Sequence, residues 1–409
     1  IPVLLLSGFF ALCASSQTVG SIYRIVSTNT GKAMTNNGNH KPDAPIVMGE
    51  LAEDDKSQMW ALINDGTEGN YGLYNMGSKL SIDMALKHEK APGKLLHWKP
   101  NLNNENQVFN IHSPGIAGSA IQLLCAADPS MAVTEYDNGE LWMKKDLSNT
   151  STYFELKEII NVEDNKAPLP YFTYIIKNVG TGLVLSNGGS KDNDAKIIVE
   201  EAKEKEYGQM WKLSIPMYQT GATTWFQLLN ETCGKCIDCA FESSGKPLQW
   251  SQNMDESSAN WNQMFEILEV EGVEDTYQFK VGKNVGSKWS PQFEYHYLAV
   301  GADKQVYLTK DASSTDTHFT FTKVNNDNLP QGLFWQDEKV FGQNKEKGHA
   351  TYIPYQSTDV MRADERYTRA WLDPVSSSRW MSLNGTWKLI WNVLDDTMQM
   401  PEEDFYGDD

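Results

Sequence analysis

The stretch Gln58-Met59-Trp60-Ala61-Leu62 decides the fold, because it returns as Gln209-Met210-Trp211-Lys212-Leu213. Around it, residues 23–60 align without a gap onto residues 174–211, at a constant offset of 151 residues. A long internal repeat is typical of chains in which similar units pack around a shared core. The sequence therefore predicts two halves built on one plan.

Four weaker copies of this motif occur elsewhere in the chain. They are Gln107-Val108-Phe109-Asn110-Ile111, Gln263-Met264-Phe265-Glu266-Ile267, Tyr153-Phe154-Glu155-Leu156 and His318-Phe319-Thr320-Phe321. Each of the six copies stands near the end of a segment that we call a lobe. Each lobe alternates short apolar and aromatic runs with Gly, Asn and Asp turns, which indicates strands rather than helices. Six lobes, three in each half, predict an all-β body, since one lobe cannot bury its apolar face alone.

The repeated Gln-x-aromatic ending resembles the ricin-type β-trefoil, a family in which these two residues mainly hold the fold. The resemblance covers about residues 20–325 and implies two tandem trefoils. A six-bladed propeller is the alternative, because four-stranded blades have a similar period. The long repeat favours three lobes plus three, and so does the proline-containing break Asn165-Lys166-Ala167-Pro168-Leu169-Pro170, which suits a linker.

The expected domain organisation follows from these landmarks. It comprises an export-signal remnant over 1–19, a first trefoil over 20–164, a second trefoil over 165–325, and a linker with the start of a further domain over 326–409. Residues 1–16 combine an apolar run with a small-residue cleavage zone, as in export signals, and lack an initiator Met and a basic start. We therefore expect an exported protein (periplasmic, cell-surface or secreted) whose start is truncated. Lipid attachment at Cys13 is the less favoured alternative.

Charge and composition restrict the class of partner. The net charge of −19 argues against binding of nucleic acid or an acidic membrane surface. No segment is apolar and long enough to span a bilayer. The chain holds 13 Trp and 17 Tyr residues, and such rings serve either as core or as platforms for the apolar faces of sugar rings.

The second lobe of each half carries the pattern that the ricin-type resemblance makes functional. In that family an Asp accepts hydrogen bonds from sugar hydroxyls, an aromatic ring stacks on the sugar, and the Asn before Gln-x-aromatic completes the site. The matching residues are Asp83, Trp98 and Asn106 in the first half, and Asp238, Trp250 and Asn262 in the second. A charged acceptor beside a flat apolar platform suits a shallow sugar pocket. The alternative is a lobe that keeps the scaffold without binding.

The other four lobes are expected to be structural. The first lobes carry Asn36-Asn37-Gly38 and Asn187-Gly188-Gly189 where an Asp would be needed. The third lobes lack a clear Asn-Gln pair. A glycan is therefore expected at the second lobes alone.

Cysteine and histidine patterns give no support for metal or nucleophile chemistry. Cys233, Cys236 and Cys239 form an incomplete metal-binding spacing, and Cys125 lies far away in sequence, so disulfide or free-thiol packing is favoured. The seven histidines are scattered, and no zinc-protease, serine-hydrolase or phosphate-loop motif occurs. No cofactor is expected.

Residues 334–409 have a different character and resemble the start of the β-galactosidases of glycoside hydrolase family 2. The matching motifs are Trp335 with Val340-Phe341 and Asn344, then Ala350-Thr351 with Pro354-Tyr355, and then Ser382-Leu383-Asn384-Gly385-Thr386-Trp387-Lys388-Leu389-Ile390-Trp391. Leu389 replaces the family's usual Phe. The resemblance implies the first strands of a sugar-binding jelly roll. The family's two catalytic glutamates would lie further on, so no catalytic residue is expected within these 409 residues.

The combined expectation is the carbohydrate-binding N-terminal region of an exported β-galactosidase, with a galactose-containing glycan as partner. Two alternatives stay open, a stand-alone lectin without catalysis and a spacer that binds no glycan. The sequence leaves the oligomeric state and the identity of the sugar open.

Overall fold

The computed structural model describes residues 17–64, 69–85, 93–115, 118–216, 223–241, 246–253, 261–286, 290, 292–325 and 356–363. The chain divides into two compact units, Ile1–Pro330 and Gln331–Asp409. In the second unit the structure describes 356–363, where a short α-helix, α1, spans Thr358–Ala363. The galactosidase-like motifs of residues 335–355 and 382–391 lie outside the described residues.

The first unit is built from strands, as the alternation of apolar runs and turn residues predicts. Those of the first half are β1 (Ile22–Ser27), β2 (Ala33–Thr35), β3 (Val47–Gly49), β4 (Trp60–Ile63), β5 (Gly72–Asn75), β6 (Ser81–Met84), β7 (Leu95–Trp98), β8 (Phe109–His112), β9 (Gln122–Cys125), β10 (Asp128–Glu135), β11 (Leu141–Lys144) and β12 (Phe154–Ile160). Those of the second half are β13 (Thr173–Asn178), β14 (Val184–Ser186), β15 (Ile198–Glu200), β16 (Met210–Ser214), β17 (Gln227–Asn230), β18 (Cys236–Asp238), β19 (Leu248–Trp250), β20 (Phe265–Glu269), β21 (Tyr277–Asn284), β22 (Phe293–Val300), β23 (Val306–Thr309) and β24 (Phe319–Lys323).

A short 3₁₀ helix precedes the last strand of every lobe. These helices span Lys56–Gln58, Glu105–Gln107, Thr150–Thr152, Tyr207–Gln209, Trp261–Gln263 and Thr315–Thr317. In five of them a polar N-cap side chain, as at Asp55 and Asn104, accepts a hydrogen bond from a backbone N–H of the first turn. In these five lobes the cap fixes the start of the 3₁₀ helix that leads into the closing strand.

Six strands of the first half close into a barrel. β1 pairs antiparallel with both β12 and β4, β4 pairs with β5, and β8 pairs with β9. The bridges Tyr71↔Phe109 and Ile121↔Phe154 join β5 to β8 and β9 to β12. Closure leaves no free strand edge in the barrel.

Three hairpins cap one end of this barrel. They are β2–β3, β6–β7 and β10–β11, and the bridges Pro45↔Leu96, Val47↔Glu140 and Lys94↔Trp142 link each hairpin to the other two. A six-stranded barrel with a three-hairpin cap is a β-trefoil.

The second half repeats the same plan. β13 pairs with β24 and β16, β20 pairs with β21, and the hairpins are β14–β15, β18–β19 and β22–β23. Each half therefore closes its first strand onto its own last strand, which confirms tandem trefoils and excludes a single six-bladed propeller.

Each trefoil has its own hydrophobic core, to which every lobe contributes its closing aromatic residue. Trp60, Phe109 and Phe154 are fully buried in the first core, and their counterparts Trp211, Phe265 and Phe319 are fully buried in the second. The Trp60 indole donates a hydrogen bond to the Met34 carbonyl at 3.0 Å, and the Trp211 indole does the same to Leu185. Both polar atoms are thereby satisfied inside an apolar core.

In the first and second lobes of each trefoil, the glutamine two residues before the closing aromatic binds two backbone groups of the preceding loop. The Gln58 side chain donates to the Glu50 carbonyl at 2.7 Å and accepts from the Ala52 amide at 3.0 Å. Gln107, Gln209 and Gln263 make the equivalent pair of hydrogen bonds. The role expected of the glutamine is confirmed as structural, because its one amide group satisfies both a donor and an acceptor of the loop.

The third lobes reach the same result with different residues. Thr152 and Thr317 replace the glutamine, and Gln122 and Gln278 from the neighbouring strands donate both to these threonines and to the loop carbonyls of Leu147 and Ala312. The motif is degenerate in sequence here, while the hydrogen-bonded loop is retained.

The break between the trefoils is packed rather than extended. Asn165 is buried and its side-chain amide donates to the Gly20 carbonyl at 2.7 Å. Leu169 is 1% exposed and joins Ile22, Ala61, Ile63 and others in an apolar cluster shared by both trefoils. The segment therefore connects the trefoils and also forms part of their contact.

The four described cysteines, Cys125, Cys233, Cys236 and Cys239, are free thiols. Burial raises the pKa of the Cys125 thiol to about 11 and also raises the pKa values of Cys236 and Cys239, so these three stay protonated at neutral pH. Of the two expected arrangements, the structure has free-thiol packing.

Candidate functional site

The hairpin β6–β7 places Asp83 and Trp98, two of the predicted sugar-binding residues, on one face. Asp83 pairs with Leu96 and Ser81 pairs with Trp98, so the side chains of Asp83 and Trp98 point to the same side of the hairpin. The intervening residues Ile82 and His97 point to the other side and are fully buried. The alternation that builds the core thus presents Asp83 and Trp98 together.

Asp83 lies partly buried at the base of this face. Its Oδ2 accepts hydrogen bonds from the Gln107 side chain at 2.9 Å and from the Asn104 side chain at 3.3 Å. Within the described part of the chain, no hydrogen bond reaches Oδ1. One carboxylate oxygen is thereby fixed in place while the other remains open to an external donor.

Burial raises the pKa of the Asp83 carboxyl above its ordinary value. The hydrogen bond from Gln107 works against this rise, and the nearby charge of Asp43 adds to it. The protein therefore holds a carboxylate where its charge is partly desolvated. Such a group gains more from an incoming hydrogen-bond donor than a fully hydrated one.

Trp98 is 41% exposed and Trp250 is 39% exposed, whereas Trp60 and Trp211 are fully buried. The two exposed indoles lie at matching positions of the second-lobe hairpins, opposite Ser81 and Cys236. An exposed indole next to an acceptor provides a flat apolar surface of the kind that stacks on a sugar ring.

Asn106 is half-buried and lies in the 3₁₀ helix Glu105–Gln107. In sequence it stands between Asn104 and Gln107, the two residues whose side chains donate to Asp83. Its backbone N–H donates to the Asn104 side chain at 3.2 Å. No hydrogen bond to its side-chain amide is found among the described residues. Asn106 therefore shares a 3₁₀ helix with Gln107, which donates to Asp83, and within the described residues its side-chain amide is available for a ligand.

The second candidate site differs in how its carboxylate is bound. Asp238 is 8% exposed, its Oδ1 accepts from the Ala240 amide at 2.8 Å, and its Oδ2 accepts from the Gln263 side chain at 3.1 Å. Asn262 is half-buried and its carbonyl accepts from the Cys239 amide at 3.0 Å. Both oxygens of Asp238 are thus engaged, so this site offers less to a ligand than the Asp83 site.

Two contributors to the first site are missed by sequence reasoning. Gln107 binds the loop carbonyl of Lys99 and also donates to Asp83, and Asn104 combines helix capping with the same carboxylate. The N-cap position of Asn104, three residues before the glutamine, is a sequence signal that could have identified it. The scaffold residues of this lobe therefore double as supports of the site.

Two features are absent from the described residues. The described residues contain no group of three or more His, Cys, Asp or Glu side chains placed to hold a metal ion. They also contain no helix with the length and apolarity needed to traverse a bilayer.

Comparison with family models gives one partial match, within the first trefoil. A family model for the ricin-type beta-trefoil lectin domain-like group matches residues 10–98, a range that includes Asp83 and Trp98. This part of the first trefoil is therefore similar to the ricin-type β-trefoil lectin-like domains. No curated protein matches the chain.

Solved structures with similar chain paths include three of different kinds. The designed three-fold symmetric protein ThreeFoil is 14% identical, covering 34% of this chain and 99% of its own, with a TM-score of 0.31. A mosquitocidal holotoxin is 11% identical over 76% of this chain with a TM-score of 0.32, and the match spans 35% of the toxin. The Polyporus squamosus lectin bound to a human-type influenza-binding epitope is 18% identical, covering 35% of this chain and 50% of its own, with a TM-score of 0.30.

Proposed function

We propose that the tandem trefoils are a carbohydrate-binding module whose principal site lies in the second lobe of the first trefoil. Asp83 accepts hydrogen bonds from neighbouring sugar hydroxyls, Trp98 stacks on the ring, and Asn106 supplies a further polar contact. The observation that carries this proposal is the open Oδ1 of a carboxylate on the same face as an exposed indole. The family match over residues 10–98 adds support.

The second-lobe site of the second trefoil is the weaker partner in this proposal. Trp250 offers the same platform, but both oxygens of Asp238 already accept hydrogen bonds within the protein. Each carboxylate oxygen can accept more than one bond, so the Asp238 site retains some capacity. If both sites bind one polymer, linkage through a common chain raises the apparent affinity above that of either site.

Asp83→Asn is expected to weaken binding of lactose, the probe for a terminal galactose, at least tenfold, because a hydrogen bond to a charged acceptor contributes roughly 1.5–3 kcal/mol. Trp98→Ala is expected to have a similar effect through loss of the stacking surface. Isothermal titration of the 409-residue chain measures both. Asn can still accept the hydrogen bond from Gln107, so the fold of the Asp83→Asn variant should be unchanged.

Tyr136→Ala is the matched control, since this ring is 38% exposed in the same trefoil but belongs to the third lobe. Its lactose affinity should equal that of the parent chain. Unchanged affinity in both Asp83→Asn and Trp98→Ala would place any glycan site elsewhere. Absence of binding to lactose and to an array of other glycans would leave the spacer as the function.

We further propose that the chain is the N-terminal region of an exported β-galactosidase of glycoside hydrolase family 2. The ordered motifs between Trp335 and Trp391 and the export-like residues 1–16 support this parentage. The trefoils then hold the enzyme on galactose-containing glycan and raise the local concentration of substrate. A retaining glycosidase needs two carboxylates about 5 Å apart, and the family places them beyond the matched motifs.

The intact mass of the native protein tests this parentage. An antibody raised against residues 17–325 should capture, from the exported fraction, a protein far larger than 46.1 kDa that hydrolyses a β-galactoside. The 409-residue chain alone should show no hydrolysis. A native mass near 46.1 kDa without hydrolysis would favour the stand-alone lectin, and lactose binding would then separate lectin from spacer.

A further inference from the structure

A cavity of about 440 Å³ lies between the two trefoils, and neither Asp83 and Trp98 nor Asp238 and Trp250 are among its lining residues. We call it the inter-trefoil cavity and define it by Lys56, Tyr74 and Lys79 of the first trefoil and Glu269 and Tyr277 of the second. Its volume is in the range of sites that take a small molecule. Since each trefoil supplies part of the wall, the cavity exists only in the tandem arrangement.

Tyr74 provides a hydrogen-bonding group that the protein leaves unused. The residue is fully buried and lines the cavity, and its hydroxyl has no hydrogen-bond partner among the described residues. An unpaired buried hydroxyl is unfavourable, so most such groups in folded proteins have a partner. Phenylalanine would fill the same space without this penalty, so the hydroxyl is available to donate to a ligand that reaches the buried end of the cavity.

Lysine ammonium groups outnumber the carboxylates available to pair with them around the cavity. The Lys56 ammonium lies 2.6 Å from Glu269 Oε2, and the Lys79 ammonium lies 3.3 Å from Glu269 Oε1. Glu266 also lines the cavity, but its carboxylate pairs with Lys280 at 2.9 Å. Burial lowers the pKa of the Lys79 ammonium, and the charge of Glu269 works against this fall. With both lysines protonated, two cations share one carboxylate, which leaves a local positive charge in a protein whose net charge is −19.

The two ammonium groups have donors to spare. Each carries three N–H donors, and each uses one on Glu269. Burial works to raise the pKa of Glu269, but Lys79 and Lys56 outweigh it and hold that pKa below its ordinary value. Glu269 thus stays ionised and pairs with both ammonium groups at the cavity wall, where it competes with an incoming anion.

The backbone at Lys79 gives independent support for a role of this side chain. Lys79 has φ of 61°, and its N–H closes the turn onto the Asn75 carbonyl. The equivalent turn positions in other lobes are Gly31, Gly182 and Gly234, with φ of 71°, 72° and 65°. Glycine adopts this left-handed conformation without strain, whereas a side chain is disfavoured there. The Lys79 side chain therefore occupies a turn where the fold itself favours glycine.

The second trefoil holds Lys79 in this position. The Thr224 hydroxyl donates to the Lys79 carbonyl at 2.7 Å. This bond and the ion pair with Glu269 tie the strained turn to the opposite wall.

We propose that the inter-trefoil cavity binds a small oxyanion, a carboxylate or sulfate group either free or carried on a single sugar ring. Lys56 and Lys79 supply charge and N–H donors, and the Tyr74 hydroxyl supplies a neutral donor at the buried end. The site is distinct from the sugar site proposed around Asp83, and each can exist without the other.

Isothermal titration of the 409-residue chain with sodium sulfate, sodium glucuronate and glucose tests the proposal, with sodium chloride holding the ionic strength constant. Sulfate or glucuronate, or both, should bind with a stoichiometry of one, and glucose should not bind at this site. Binding of both anions points to the bare oxyanion, while binding of glucuronate alone points to an acidic sugar. No binding of either anion, or equal binding of glucose, overturns the proposal.

Substitutions at the cavity distinguish an oxyanion-binding site from an ion pair that only stabilises the fold. Tyr74→Phe and Lys79→Gly should each weaken oxyanion binding about tenfold, the effect of one good hydrogen bond to a charged group. Both should fold, because phenylalanine fits the same space and glycine is the residue of the equivalent turns. Glu269→Gln should strengthen binding, since it removes the competing carboxylate.

Lys203→Gln is the matched control, because this lysine forms an exposed ion pair with Glu200 outside the cavity. Its oxyanion affinity should equal that of the parent chain. Parent-like affinity in both Tyr74→Phe and Lys79→Gly would overturn the assignment. So would a glucuronate signal that disappears in Asp83→Asn, since that ligand would then occupy the sugar site.

Discussion

Trp60→Ala is expected to lower the free energy of unfolding of the first trefoil by about 4 kcal/mol, in the range found for large aromatic residues removed from a core. Trp60 is fully buried, contacts the other lobes through the shared core, and satisfies its indole N–H on Met34. The truncation leaves a cavity and an unpaired carbonyl together. Denaturation in urea, followed by tryptophan fluorescence and circular dichroism, measures the loss.

Trp98→Ala is the matched control for this prediction, because it removes the same side chain from the surface of the same trefoil. At 41% exposure, its loss should change the stability by no more than about 0.5 kcal/mol. Equal destabilisation by the two substitutions would contradict the separation of core and platform tryptophans. The two variants together distinguish the fold-holding role from the ligand-facing role of this residue type.

Gln107→Ala is expected to lower the free energy of unfolding by about 2 kcal/mol and also to weaken lactose binding severalfold. The stability loss follows because two hydrogen bonds to the loop backbone, at Lys99 and Asn101, are removed. The binding loss follows because Asp83 loses the hydrogen bond that fixes its Oδ2. Urea denaturation and isothermal titration measure the two effects separately.

Gln58→Ala is the control, since Gln58 makes the same pair of backbone hydrogen bonds in a lobe without a candidate site. It should reduce stability to a similar extent and leave lactose affinity unchanged. If both variants bound lactose like the parent chain, Gln107 would be a scaffold residue alone. If Gln58→Ala also lost lactose binding, the effect of Gln107→Ala would reflect general loosening of the trefoil.

The sequence predicts the fold well because the motif that defines each lobe consists of residues close together in the chain. Gln58 and Trp60 lie two residues apart, and the turn and strand residues around them form each lobe through neighbours in the chain. The same local pattern, at the same offset, identifies the second trefoil. The third lobes are harder, since Gln122 lies thirty residues before Thr152 and takes over part of the glutamine's role from a different strand.

The candidate sugar sites are predicted as residues but not as an arrangement. Asp83 and Asp238 have the same place in the repeat, yet Asp83 keeps one oxygen open while Asp238 binds the Ala240 amide as well. This difference depends on backbone directions after the strand, which a residue pattern does not specify. Only the structure ranks the first site above the second.

What the sequence by itself determined is the tandem trefoil, its aromatic core and the paired Asp and Trp positions, because each depends on residues that are close in the chain and repeat at a fixed spacing. What only the tertiary structure decided is the open oxygen of Asp83 and the cavity between the trefoils. Lys79 and Glu269, which meet in that cavity, are 190 residues apart. Their contact depends on how two separately closed cores dock, and no local pattern of residues encodes that docking.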